Sequence, residues 1–401
     1  MLRPQIQILK RSTILARSLL KDVTTGQLLR DLRGASSIAV SEDNLADCIS
    51  CQLAPDLMVQ DVDPSGTIWA TQGYHLYRLD GTRFCHDARL PCPWGKAALG
   101  YSSAIRRSVR KSPANVFALK SGTLLVLAGG YLYRKGTSEK SFARVFRLRY
   151  SGPGVGRGIL SRGLVHMTSG RILFGEYFRN PNRGPVHVYG SDDDGRNWTR
   201  IYCFASGSVR HIHALCEDEF TDDLWICTGD TDDESMIARS SDQGNSFDVV
   251  GKGSQSWRTC GLMFDEKFVY WGADTSRFVE HRNIYRMRRE NFGLEPLASV
   301  DGAIEYGLKL ADDLFVFGTT RSRFDPGWDD SPSIWVGDGH QRWVRVPIGP
   351  WLEESKPLMA RMEMVADSQH ERIAITFENI ARYDQVLMVI SFSELRAILA
   401  Q

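Results

Sequence analysis

The chain has 401 residues, 42% hydrophobic and 24% charged, an ordinary globular balance with room for one large domain or two or three small ones. A net charge of +1 excludes an overall field that would draw it onto nucleic acid or an anionic membrane. No apolar run approaches the roughly 18 residues of a membrane-spanning helix, so no span is expected.

In chain order, residues 1–54 read as an arm. Its start, MLRPQIQILKRSTILARSLLKD, is basic and mildly amphipathic, and Arg11, Arg17 and Lys21 interrupt the apolar centre that a secretory signal needs. The expectation is a cytoplasmic protein with reduced thiols. Cys48 and Cys51 form a CxxC pair, followed by Cys85 and Cys92, but the second pair lacks zinc-knuckle spacing and no zinc is expected there. Residues 36–44, SSIAVSEDN, are a candidate strand for closing a ring on the last unit.

From residue 55 to 395 the text repeats. Units of four short strand candidates begin at Val59, Asn115, Leu164, His211, Cys260, Glu305 and Ala360, and their second strands begin near residues 67, 123, 171, 224, 268, 314 and 373. A period of about 45 to 60 residues with four antiparallel strands each predicts an all-β chain, a seven-bladed β-propeller, with a six-bladed ring as the alternative. Ten Trp, thirteen Tyr and eighteen Phe, spread along the length, suit strands. The end, SELRAILAQ, is a candidate terminal helix, with residues 396–401 as a tail.

Two units share an eight-residue frame, Ser-x-Asp-x-Gly-x-x-aromatic: SDDDGRNW from Ser191 and SSDQGNSF from Ser240. The frame reads as a hairpin turn between a blade's outer strands. The Asp would accept backbone N–H groups, the Gly would take positive φ and the aromatic ring would tuck under the turn. These motifs resemble the Asp-box, or BNR, repeat of sialidase-like propellers. The text RHIHAL…LWICTGD…ES followed by SQSWRTCGLMF…YWGADT is similar to BNR proteins associated with bacterial surface polysaccharides.

In such a ring the loops opposite the box turns surround the channel mouth, and ligand chemistry is expected there. Loops after second strands bring Glu176, Tyr177, Arg179, Asp230, Asp274, Arg277, Arg321, Arg323, Trp328 and Arg382. Segments entering first strands bring Arg210, His211, His213, Trp257, Arg258, Glu305, Tyr306 and Arg361. Arg offers a fork for a carboxylate, Trp and Tyr offer flat faces for sugars, and His or a carboxylate supplies acid and base. An acidic sugar, uronate or sialate, uses all of these. The expected substrate-binding set is therefore Arg179, Arg210, Trp257, Arg258, Arg321, Arg361, Asp230 and Asp274. The expected catalytic set is Glu176, Tyr177, His211, His213, Glu305 and Tyr306.

Two expectations concern orientation. His211 and His213 are expected to alternate, so that only one faces inward, and adjacent Glu305 and Tyr306 are expected on opposite faces of their strand. The run from Asp230 to Glu234 offers oxygen ligands for calcium, but a solvated loop is the reading adopted, and no metal is expected. Trp257 is expected to lean toward interblade core. The sialidase likeness implies an arginine triad, for which Arg210, Arg258 and Arg361 are the candidates, and a Tyr–Glu pair, for which Glu305 and Tyr306 stand. The chain has no Arg-Ile-Pro motif early on, where sialidases place their first arginine. Related propellers imply either glycoside hydrolysis or lyase chemistry, and a propeller that only binds a glycan or a protein is the alternative. No glycine-rich loop opens a helix, so no nucleotide or redox cofactor is expected.

Overall fold

The computed structural model describes residues 52–92 and 114–400, apart from residues 82, 153–154, 276–277, 323–330, 353–358 and 382. The described chain forms seven four-stranded antiparallel sheets. Six are simple meanders, at residues 58–89, 114–147, 164–204, 212–252, 263–299 and 304–347. The seventh takes three strands from residues 361–391 and its outermost from Gln52–Pro55, which pairs antiparallel with Val386–Ser391. These are seven blades of a β-propeller, and the six-bladed alternative falls away.

The second strands begin at Ile68, Leu124, Ile172, Leu224, Phe268, Leu314 and Arg372, each within a residue of the repeat spacing. Their text is almost continuously apolar because neighbouring blades cover both of their faces. Leu124–Ala128, Leu224–Thr228, Phe268–Gly272 and Leu314–Thr319 are buried at every position. Outer strands such as Arg83–Arg89 and Asp248–Lys252 are mostly exposed and polar. Hydrophobic clusters fill the gaps between blades, such as Trp225, Trp271 and Phe264 between the fourth and fifth.

Close approach of blades needs a missing side chain. Gly272 ends the second strand of the fifth blade, and a Cβ there would lie 2.4 Å from Ile304 of the sixth. Gly175 stands in the same relation to Ile212, at 2.5 Å.

Both repeated frames are hairpin turns, and they superimpose bond for bond. Ser191 Oγ donates to Asp193 Oδ1 at 2.8 Å and accepts from Gly195 N at 3.0 Å, and Asn197 N donates to Asp193 Oδ1 at 2.9 Å. In the second, Ser240 Oγ donates to Asp242 Oδ1 at 2.8 Å and accepts from Gly244 N at 2.7 Å, and Ser246 N donates to Asp242 Oδ1 at 2.9 Å. Gly195 and Gly244 take φ of 79° and 92°. Backbone and side-chain donors hold Asp193 and Asp242 below the usual carboxylate range, at about 2.

The ring closes on Gln52–Pro55 rather than on residues 36–44, which lie outside the described residues, as do Cys48 and Cys51. The final helix, Phe392–Leu399, carries a capping box. Ser391 Oγ accepts from Glu394 N, and the Glu394 carboxylate accepts from Ser391 N at 2.7 Å. Its Phe392 and Leu395 are buried against the last blade, so the fold runs through the expected tail boundary at 395. No described helix is long and apolar enough to cross a membrane.

Candidate functional site

The inner strands of all seven blades line a central channel of about 360 Å³, through Gln60, Leu119, Leu164, Cys216, Leu262, Leu308 and Met364 among others. A second cavity of about 310 Å³ adjoins it, sharing Ser161, Arg162 and Tyr306. Its other walls come from the ends of the strands opposite the box turns: Arg157, Tyr177, His213, Asp230, Arg258, Cys260, Asp274, Glu305, Ser322, Met359 and Arg361 among them. Eight of the fourteen expected residues therefore meet in one place: Tyr177, His213, Asp230, Arg258, Asp274, Glu305, Tyr306 and Arg361.

Two paired clusters form opposite parts of this cavity. In the first, Arg258 Nη2 lies 3.3 Å from Asp230 Oδ1 and 3.2 Å from Asp274 Oδ2. Burial opposes its charge, but the two carboxylates win and raise its pKa. Arg210 donates to Asp230 Oδ2 at 2.5 Å from outside the cavity. Gly229 makes room for the cluster, since a Cβ there would lie 2.8 Å from Arg258 Cγ and 2.9 Å from His213 Cε1. In the second cluster Arg361 donates to Glu378 Oε1 at 2.7 and 3.0 Å, with Glu363 at 3.7 Å and Glu305 at 4.0 Å. Burial pushes the Glu305 carboxyl up, partly offset by Arg361. It also pushes the phenols of Tyr177 and Tyr306 well above their ordinary value.

Both orientation expectations are overturned. His211 and His213 do not alternate: their Nε2 atoms lie 3.1 Å apart and both face Asp230. Residues two apart share a face of an extended chain, and the register slips at His213, between Ile212 and Ala214. Glu305 and Tyr306 both line the cavity, because the register also slips between Ile304 and Tyr306. The bulge turns two consecutive side chains to one side.

Other expected residues lie elsewhere. Glu176 is buried outside the cavity, where Arg149 donates to both its oxygens at 2.8 and 2.6 Å and His187 N donates at 2.9 Å. Its neighbour Tyr177 is the residue that reaches inward, its ring tilted against that of His211 with centroids 4.1 Å apart. Arg179 is exposed on the loop. Trp257 stacks on Trp271 at 5.5 Å, in interblade packing. Arg321 is buried and its backbone bridges to Ala360, while Ser322 beside it lines the cavity. Arg277, Arg323, Trp328 and Arg382 lie outside the described residues. In the Asp230–Glu234 run, Asp232 accepts from Gln255 Nε2 at 2.9 Å and Glu234 pairs with Arg183.

Sequence reasoning missed Arg157 and Arg162. They sit in VGRGILSRG, the segment entering the third blade, the position that supplies Arg210 and Arg258 to later blades. Arg162 donates to Gly307 O at 3.3 Å and lies over the Tyr306 ring at 6.0 Å. Neither arginine has a carboxylate within ion-pair distance among the described residues, unlike Arg258 and Arg361.

No protein-family model matches the chain, and no curated protein sequence does. Among solved structures it is similar to YCF48 from Cyanidioschyzon merolae, at 12% identity and a TM-score of 0.51, covering 85% of this chain and 98% of that one. A chain of the mitotic checkpoint complex matches at 11% identity and a TM-score of 0.48, covering 89% and 98%. An ancestral GH74 enzyme matches at 11% identity and a TM-score of 0.49, covering 81% of this chain and 44% of that one. At these identities the likeness to YCF48 shows the β-propeller fold alone.

Proposed function

We propose that the mouth cavity binds a carboxylate-bearing sugar chain, and that the protein is a propeller of the Asp-box, sialidase-like kind acting on an acidic glycan. The observation that carries this reading is the pair Arg157 and Arg162, two guanidiniums facing a walled cavity with no carboxylate within ion-pair distance among the described residues. Buried cations elsewhere in the mouth are matched: Arg258 by Asp230 and Asp274, Arg361 by Glu378. An unmatched, partly desolvated guanidinium favours an anionic ligand, and its planar fork fits a carboxylate. Tyr177 and Tyr306 add ring faces against which a sugar can lie.

A second observation favours cleavage over binding alone. Glu305 faces the same cavity with its carboxyl pushed up by burial, the state suited to donating a proton to a glycosidic oxygen. Asp274 lies in the same lining as a candidate base or nucleophile.

The test is incubation of the full chain with a panel of uronate- and sialate-containing polysaccharides, reading reducing ends and the absorbance of unsaturated uronates, with calorimetric binding in parallel. New reducing ends without unsaturation, lost in Glu305→Gln, are the expected result. Unsaturated product would replace hydrolysis by elimination. Binding without product would reduce the function to recognition. Neither binding nor product across the panel would overturn the reading.

A further inference from the structure

The arrangement around Asp230 contains a chemical mismatch. His211 Nδ1 lies 3.1 Å from Phe178 O, and His213 Nδ1 lies 3.3 Å from Thr259 O. A carbonyl only accepts, so both rings donate from Nδ1, and each neutral ring then presents a lone pair at Nε2. Those two Nε2 atoms are 3.1 Å apart, and Asp230 Oδ1, a third acceptor, lies 3.6 Å from one and 3.7 Å from the other. Three acceptors converge on one point. A single shared proton would link the two rings and leave the carboxylate oxygen at a distance too long for a hydrogen bond.

A metal ion would satisfy all three. A tetrahedral ion with bonds of about 2.0–2.2 Å sets its donor atoms about 3.3–3.6 Å apart, close to the three separations seen. Metal-bound histidines commonly donate their other N–H to a backbone carbonyl, as both do here. Asp230 is also held in a strained backbone, with φ of 108°, an outlier that clusters at functional sites. Arg210 holds its other oxygen, and Arg258, which lies 3.3 Å from Oδ1, is itself shared with Asp274. His213 and Asp230 line the mouth cavity, so an open coordination position would face it.

We propose that His211, His213 and Asp230 form a site for a divalent transition-metal ion, open toward the mouth cavity. Two imidazoles and one carboxylate suit zinc, manganese or iron rather than calcium or magnesium, which prefer all-oxygen sites. This inference stands independently of the sugar reading.

The test uses the full chain, stripped with a chelator and titrated with Co²⁺, then with Zn²⁺ in competition. The expected result is about one equivalent of cobalt with the strong visible bands of a four- or five-coordinate site, displaced by zinc. His213→Ala and Asp230→Asn should lose that binding. His75→Ala/His86→Ala, which removes the exposed ring pair with nitrogens 3.1 Å apart on the first blade, should retain it. No stoichiometric binding by the wild-type chain, or binding lost only with His75 and His86, would overturn the proposal. If the His213 or Asp230 variants fail to fold by circular dichroism, X-ray absorption on the zinc-loaded wild-type chain decides. Two imidazoles with oxygen ligands would support the site, and a sulfur ligand, which would point to Cys260, would overturn it.

Discussion

The two faces of the ring treat charge in opposite ways. On the face of the box turns, several carboxylates are answered locally. Asp193 and Asp242 collect donors within their own loops, Asp194 accepts from Ser121, Thr123 and Arg134 of the preceding blade, and Asp218 receives both nitrogens of Arg289. Those groups close turns and rivet blades. On the mouth face, paired clusters frame a cavity in which Arg157 and Arg162 have no carboxylate within ion-pair distance among the described residues, and three acceptors meet at Asp230. Charges answered in this way hold structure, and charges left without an ion-pair partner are available to a ligand.

Substitutions should separate the faces. The largest effect is expected from Asp218→Ala, which leaves Arg289 partly buried and unpaired. It should cost about 3–5 kcal/mol of stability, read as a lower denaturant midpoint, while sugar affinity in the surviving folded fraction stays unchanged. Arg157→Ala and Arg162→Ala should each weaken binding of an acidic sugar about 10- to 100-fold, the loss of one charge-assisted contact, with little change in melting temperature. Gly229→Ala should couple the faces' roles by pushing Arg258 and His213 apart, lowering both affinity and stability modestly. A smaller change, about 1 kcal/mol, is expected when Asp193 or Asp242 becomes Ala, because each turn loses a cap-like acceptor.

Acid should weaken the box turns. Asp193 and Asp242 titrate lower in the folded chain than in the unfolded chain, so their contribution is present above the unfolded value of about 4. It is lost as pH falls toward about 2. The double Asp193→Asn/Asp242→Asn variant should therefore show a flatter decline of urea midpoint over that range than the wild type.

How much the sequence disclosed follows the same division. Second strands, buried on both sides, are written as uninterrupted apolar text, and the box turns need particular residues at fixed spacing, so the seven blades could be read directly. The closing strand could not: Gln52–Pro55 is short, contains proline and pairs with residues more than three hundred positions away, which an edge strand tolerates and local pattern does not announce. At the mouth, residue types were legible and directions were not. His211 and His213, two residues apart, share a face, a bulge at Glu305 breaks the alternation there, and Glu176 was claimed by Arg149, far away in the text. Arg157 and Arg162 lay in a glycine-rich segment with no strand signal to place them.

The central claim is that the mouth recognises the carboxylate of a sugar. The most direct measurement compares calorimetric binding of an oligosaccharide that the panel shows to bind with binding of the same oligosaccharide after its carboxyl groups are reduced to alcohols. Affinity should fall at least about tenfold on reduction, and that difference should vanish in an Arg157→Ala/Arg162→Ala variant. Equal binding of the two forms by the wild-type chain would contradict the account.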